Sequence, residues 1–223
     1  MPAVANYPSI EALPRALPIF PLPGALLLPR TQLPLVIFEP RYLRMVEDVV
    51  SDHRLIGMMQ PVNEPAETSA RPEIYGIGCA GRITSFAETQ DDRILITLTG
   101  VARFRVTEEI KVRTPYRQVA ADYAEFASDL ETGSGQDEVD RNLLLKTFRA
   151  YLEANNLMTD WDQIMSATNE QLVNSLAALS PFAVAEKQAL LEAPDLKSRS
   201  ELLIALTEMS LSATDAPAGR QLQ

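Results

Sequence analysis

Proline and glycine divide this chain more sharply than any other feature, and the division limits what it can fold into. Nine of the 16 prolines fall in the first 40 residues, and no glycine occurs between Gly135 and Gly219. Proline cannot donate to a β-ladder and breaks a helix interior, whereas glycine supplies tight turns and bulges, so the first half reads as short strands and turns. The second half reads as helices. Charge divides near the same point: of the net −10, residues 1–121 hold 13 basic and 13 acidic side chains, and residues 122–223 hold 7 and 17. The acidic excess therefore belongs to the helical half, where it keeps a surface solvated and repels phosphate backbones.

Strands are expected at 17–20, 33–38, 55–59, 75–86, 93–99, 101–112 and 117–126, with the prolines of the first two placing them at sheet edges, strand starts or bulges. Gly100 reads as a bulge or bend separating two of them. Residues 40–50 change period: Leu43, Val46 and Val50 share a stripe, Tyr42, Met45 and Val49 flank it, and Pro40 suits the first helical position. A polar, proline-containing loop is expected near 61–72. About seven strands around one helix are more economically closed into a barrel than left as an open sheet with exposed edges.

Gly133-Ser134-Gly135 marks the expected boundary. Beyond it, helical stripes run from Val139 to Leu152, over Trp161–Met165 with Thr159 or Asp160 as cap, and over Leu172–Leu179, which ends at Ser180-Pro181. Two more follow, at 184–192 and after a capping Asp195. The expected fold class is thus α+β, an amino-terminal barrel with one short helix followed by a helical bundle. Its parts are 1–127, 128–211 and a frayed tail over 212–223.

Catalytic and metal chemistry find little support. One histidine, His53, and one cysteine, Cys79, cannot assemble the usual His/Cys metal sites, and Cys79 in Gly76-Ile77-Gly78-Cys79-Ala80-Gly81 reads as a buried strand thiol. There is no phosphate loop and no Gly-x-Ser-x-Gly elbow. His53, in Ser51-Asp52-His53-Arg54, reads as a surface residue at a helix end. Lys146, Lys187 and Lys197 read as solvated helix charges, and adjacent carboxylates such as Glu47-Asp48 do not converge on one point. No catalytic residue, metal or cofactor is expected. With no apolar run long enough for a membrane span and no leader-like start, the cytoplasm is the expected compartment.

The strings Leu17-Pro18-Ile19-Phe20-Pro21-Leu22-Pro23-Gly24-Ala25-Leu26-Leu27-Leu28-Pro29 and Leu33-Pro34-Leu35-Val36-Ile37-Phe38-Glu39-Pro40-Arg41-Tyr42 resemble the opening of a Lon protease amino-terminal domain. Tyr75-Gly76-Ile77-Gly78-Cys79-Ala80-Gly81-Arg82-Ile83, Leu98-Thr99-Gly100-Val101-Ala102-Arg103-Phe104-Arg105-Val106 and Glu186-Lys187-Gln188-Ala189-Leu190-Leu191-Glu192 are similar to later parts of that domain, in order. The resemblance implies a PUA-like barrel followed by helices, and recognition of substrate proteins. Full Lon proteases continue into an ATPase and a Ser-Lys peptidase module, neither of which this sequence holds, so protease activity does not carry over.

The expected role is binding of unfolded or hydrophobic protein segments, or of a protein partner, as an adaptor in proteolysis or quality control. Residue chemistry places an apolar groove at Phe38, Tyr42, Met58, Met59 and Tyr75 with Arg41 at its rim, the methionines adapting to varied segments. The second reading is RNA binding, which PUA-like barrels also support. It would use a basic stripe of Arg93, Arg103 and Arg105, against the acidic balance of the chain.

Overall fold

The structure is a computed structural model that describes residues 7–63 and 71–215. It is α+β, with six strands, β1 (Ala16–Pro21), β2 (Gln32–Ile37), β3 (Leu55–Met59), β4 (Ile77–Glu88), β5 (Ile94–Ile110) and β6 (Gln118–Asp122), and one helix, α1 (Pro40–Val50), among them. Strands run in the order β2-β5-β4-β3-β1-β6, and β6 also pairs with β5, closing five strands into a barrel. Among the described residues, only the β1–β3 pair is parallel. β2 is left outside the closure, paired with β5 alone from Gln32↔Thr99 to Ile37↔Ile94.

The barrel closes because β5 is a single 17-residue strand rather than the two expected. Gly100 does not end it. The ladder to β4 slips by one residue between Ala80↔Ala102 and Gly81↔Gly100, so Val101 is the extra residue of a bulge that bends the strand around the barrel. The expected strand over 117–126 is also shorter. The Asp122 carboxylate accepts from the Ala124 N–H at 2.9 Å and turns the chain into a 3-10 segment over Ala124–Leu130. Proline placement is half as expected: Pro34 sits in the outermost strand, but Pro18 lies in an interior one. Ile19 donates to Arg117 O, so the Pro18 nitrogen faces β3, where pairing begins only at Ile19, and no ladder bond is lost.

Alternation sorts the strand residues into two cores. Leu17, Ile19, Leu55, Met59, Ala80, Ala102, Phe104, Val119 and Ala121 fill the barrel lumen. Phe104 is fully buried, and a Cβ at Gly57 or Gly78 would lie 2.8 or 2.9 Å from its Cζ, so these glycines make room for the ring. The opposite parity, including Ile56, Met58, Cys79, Ile96 and Leu98, forms one continuous core with Met45, Val46 and Val49 of α1 and Leu172, Val173, Leu190, Leu191 and Leu203 from the helices that follow.

Those helices are α2 (Arg141–Ala154), α3 (Trp161–Ser166), α4 (Asn169–Leu179), α5 (Val184–Glu192) and α6 (Leu196–Asp215). Asp140, Asp160 and Thr168 cap the first three α-helices of this set, and Gln171 Oε1 in turn accepts from the Thr168 N–H. Val139 is buried but stands outside α2, because Asp140 rather than an earlier residue starts the helix. Asp195 accepts from Ser198 N–H at 2.7 Å as α6 begins. α6 packs against α2, α4 and α5. It also runs past Ser212, where a frayed tail was expected, to Asp215; residues 216–223 lie outside those described, as does most of the loop expected at 61–72, whose ends meet in a bridge between Pro61 and Ile74.

Buried polar groups fasten barrel to helices. Arg103 of β5 makes a bidentate ion pair with Asp129 at 2.9 Å, donates to the Leu191 and Ala193 carbonyls at the end of α5, and lies 4.5 Å over the Phe126 ring. Arg199 donates to Leu190 O and Asn174 Oδ1. Two guanidiniums thus meet the negative end of the α5 dipole. Arg30 and Glu170 add a further ion pair, and Gln188 donates to Ile77 O at 3.1 Å.

Candidate functional site

The six residues expected to line one groove do not do so. Met58 and Met59 are 2% and 1% exposed, and as neighbours in a strand they enter opposite cores, Met58 beneath the helices and Met59 in the lumen. They are packing residues. Tyr42 is buried too, its ring tilted against Phe20 with centroids 4.2 Å apart. Tyr75 is half-buried, held by its N–H donating to Gln60 O. Phe38 is 63% exposed, and Arg41 stacks over Tyr42 at 4.6 Å while chelating Glu39.

Two surfaces emerge instead. The first is the face of the β2, β5 and β4 corner that is turned away from the helix-packed core of Ile94, Ile96 and Leu98. Val36 pairs with Leu95 and Leu95 with Ala87, which places the three on one face in a row across the sheet. All are exposed, Val36 at 49% and Leu95 at 43%, and Phe38 continues the outward parity of β2 just beyond its end. Contiguous exposed apolar side chains are a more informative feature of a surface than scattered ones. The row also borders the outer edge of β2, where alternate backbone groups have no strand partner among the described residues.

The second surface is a pair of hollows between α1 and the β1–β6 strands, of about 540 and 230 Å³, which meet at Tyr116. Tyr116 is buried and donates its hydroxyl to Asp48 at 2.9 Å; burial first, then that carboxylate, push the phenol up to about 12. The larger hollow contains His53, Asp52 and Asp48, the smaller Arg41, Arg71 and Arg117. Arg41 and Tyr42 were placed in the site from sequence, whereas Tyr116, Arg71 and Arg117 were not, since they come from distant loops and only Pro115 beside them signals a constrained turn. Arg117 grips Glu109 with two bonds of 3.0 and 2.7 Å, and this contact chiefly holds the Glu109 carboxyl below its ordinary range, burial opposing.

His53 has a defined protonation requirement. Its Nδ1 accepts from the Leu55 N–H at 2.9 Å, and burial lowers its pKa from 6.5, against the opposing pull of Asp52. The unfolded chain therefore takes up a proton before the folded one does, so this contribution is present above 6.5 and is lost as pH falls through the lowered folded value. Urea unfolding of wild type should lose stability between about pH 7 and pH 5 by a few tenths to about 1 kcal/mol more than His53→Gln does. Equal losses in the two proteins would contradict this.

The basic stripe required for RNA is absent. Arg103 is 2% exposed and committed to Asp129, because the outward face of β5 is covered by the helices at that point. Arg105 pairs with Glu125 and Arg93 with Asp91, which neutralise both. Lys187 is also not the solvated charge expected: it is buried, donates to Gly24 O at 2.8 Å, and burial lowers its pKa. Cys79 is fully buried, which drives its thiol far up, away from the reactive thiolate.

A closed barrel with an added outer strand, fused through a shared core to a helical bundle, defines a barrel-plus-helix architecture. The chain belongs to the family of ATP-dependent protease La (Lon) substrate-binding domains, whose profile matches residues 16–208. It is 28% identical over 215 residues to Lon protease 2 of Myxococcus xanthus, covering 92% of this chain and 25% of that protein. It is 28% identical over 195 residues to the Lon protease of Dictyoglomus thermophilum, covering 85% and 24%. The chain thus spans about a quarter of the length of these relatives. Among solved structures, the Lon N-terminal domain protein from Xanthomonas campestris superposes with a TM-score of 0.61 at 24% identity, covering 85% of this chain and 97% of that one. The N-terminal domain of the Mycobacterium avium complex Lon protease gives 0.64 at 15% identity, covering 86% and 98%. Both share the fold. Among the described residues, no helix is long and apolar enough to cross a membrane.

Proposed function

We propose that this chain is a non-catalytic cytoplasmic module that binds unfolded or hydrophobic protein segments and presents them to a proteolytic or quality-control partner. The observation that carries the reading is the exposed row Val36, Leu95 and Ala87 with Phe38, set beside the outer edge of β2. An extended segment laid along that edge gains main-chain hydrogen bonds from β2 and sets alternate apolar side chains beside Val36 and Phe38, where the row reaches the edge, a mode that tolerates varied sequences. The substrate-binding description of the family supports the same reading.

Binding of a permanently unfolded protein, reduced and carboxymethylated α-lactalbumin, tests it by titration calorimetry without nucleotide. Phe38→Ser combined with Leu95→Thr removes exposed apolar area and should weaken binding by about tenfold or more while leaving stability within about 0.5 kcal/mol. Affinity unchanged in that variant, or no binding by the wild-type chain, would remove the reading.

A further inference from the structure

One corner of the barrel carries no charge of its own. The chain holds 20 basic and 30 acidic side chains, yet residues 31–38 along β2, 83–87 of β4 and 94–99 of β5 include none of them. These segments are neighbours in the sheet, β2 paired with β5 and β5 with β4. Edge strands that stay solitary usually carry lysine or another charge that deters a further strand. β2 has only Pro34 for that purpose. Two copies of an acidic protein therefore meet with least repulsion at this corner.

Pairing fixes which main-chain groups β2 offers. Gly100 N–H donates to Thr31 O, so Thr31, Leu33, Leu35 and Ile37 turn their groups toward β5. The N–H and C=O of Gln32, Val36 and, by continued parity, Phe38 point the other way, with a C=O alone at Pro34, and none has a strand partner there among the described residues. A second β2 laid antiparallel with Leu35 opposite Leu35 sets Gln32 against Phe38 and Pro34 against Val36. Gln32 and Phe38 then exchange both bonds, and Val36 N–H meets Pro34 O. Centring the pair on Pro34 would instead leave two carbonyls facing each other without a donor, so the proline selects the register. In that register Phe38, 63% exposed, covers Gln32 and, diagonally, Pro34 of the other copy, and Val36, 49% exposed, packs beside the same proline.

We infer that two copies of this chain pair antiparallel through the outer edge of β2 about Leu35, and that the pairing withholds this edge from the segments assigned to it above. The pair stands on strand geometry; the competition alone rests on the segment-binding reading. A contact one strand wide falls short of the ~1,200 Å² of lasting interfaces, which puts the dissociation constant on the order of 10⁻⁴ M.

Sedimentation velocity of the full chain, from about 5 µM to about 1 mM, should pass from monomer to dimer, and added salt should favour the dimer by screening the repulsion between copies. Val36→Lys and Val36→Glu each set like charges diagonally across the pair and should each stay monomeric, whereas their equimolar mixture should dimerise. Recovery in the mixture also shows that both variants fold. Monomer throughout in wild type, a dimer that survives Val36→Lys, or a mixture of folded variants that stays monomeric overturns the pairing. In a second arm, carboxymethylated α-lactalbumin is added to the dimer, which should divide into complexes of one chain each. A dimer that persists with α-lactalbumin bound overturns the competition and moves segment binding off the β2 edge. Binding of α-lactalbumin by a chain that never dimerises sinks the pairing and leaves the segment reading standing, and a dimer with no affinity for α-lactalbumin does the reverse.

Discussion

Gly100→Ala should destabilise the fold by about 3 kcal/mol or more, at the upper end of what overpacking costs. A Cβ at this position would stand 2.0 Å from Leu28 O and 2.7 Å from its carbon, with Pro29 Cα at 3.2 Å. All three are backbone atoms, so no rotamer change relieves the clash. The segment they belong to cannot withdraw either, since Arg30 N–H donates to Gly100 O at 2.8 Å and Gly100 N–H to Thr31 O at 2.9 Å. The bulge that lets β5 serve β2, β4 and β6 thus depends on a residue without a side chain. Gly76→Ala is the control: among the described residues nothing lies within 4 Å of the point its new methyl would occupy, and the cost should stay within about 0.5 kcal/mol. Chemical denaturation of the two variants measures the difference, and a Gly100→Ala protein as stable as Gly76→Ala would contradict the packing described.

The second large effect is expected at Arg103. Arg103→Met leaves Asp129, 7% exposed, with a buried carboxylate that retains only the backbone N–H of residue 103 at 2.9 Å, and removes the donor to the α5 carbonyls. Breaking one side of a buried pair costs about 3–5 kcal/mol. For a chain of this size that is roughly 10 °C or more in melting temperature. Arg103→Met with Asp129→Leu removes the orphaned charge as well and should recover part of the loss, so the two changes together cost less than their sum. Simple additivity in thermal melts of the single and double variants would show that the pair is not coupled. Because Arg103 joins barrel, 3-10 segment and α5, the single variant should also make the helical part unfold ahead of the barrel.

Which parts of this were readable in sequence follows from which faces are buried. The helices declare themselves through caps, Asp140, Asp160, Thr168 and Asp195, and through breaks such as Ser180-Pro181, all local signals. β3, Leu55-Ile56-Gly57-Met58-Met59, is buried on both faces, so its apolar run carries no alternation, and nothing local separates Met58 from Met59. β5 does alternate, and Leu95 and Thr97 were legible as a face distinct from Ile94, Ile96 and Leu98. That Leu95 lies on the open face while Arg103, of the same parity, lies on the helix-covered one depends on the bulge at Val101, which exchanges the two faces of β5 and which no local pattern encodes. Gly100 was visible as an interruption, but a bulge and a strand end leave the same trace. At the hollow, Arg41 and Tyr42 are marked by the helix start at Pro40, whereas Arg71, Tyr116 and Arg117 join them only through the closure of β6 onto β1.

Hydrogen–deuterium exchange of the intact chain, with and without saturating carboxymethylated α-lactalbumin, tests the central claim most directly. Amides of β2 and the flanking residues to Phe38 should slow on binding, while those around Trp161 and Met158, on an exposed apolar part of the helical bundle, stay unchanged. Protection confined to the helices, with β2 exchanging as fast in the complex as alone, would contradict the assignment of segment binding to the open edge of the barrel.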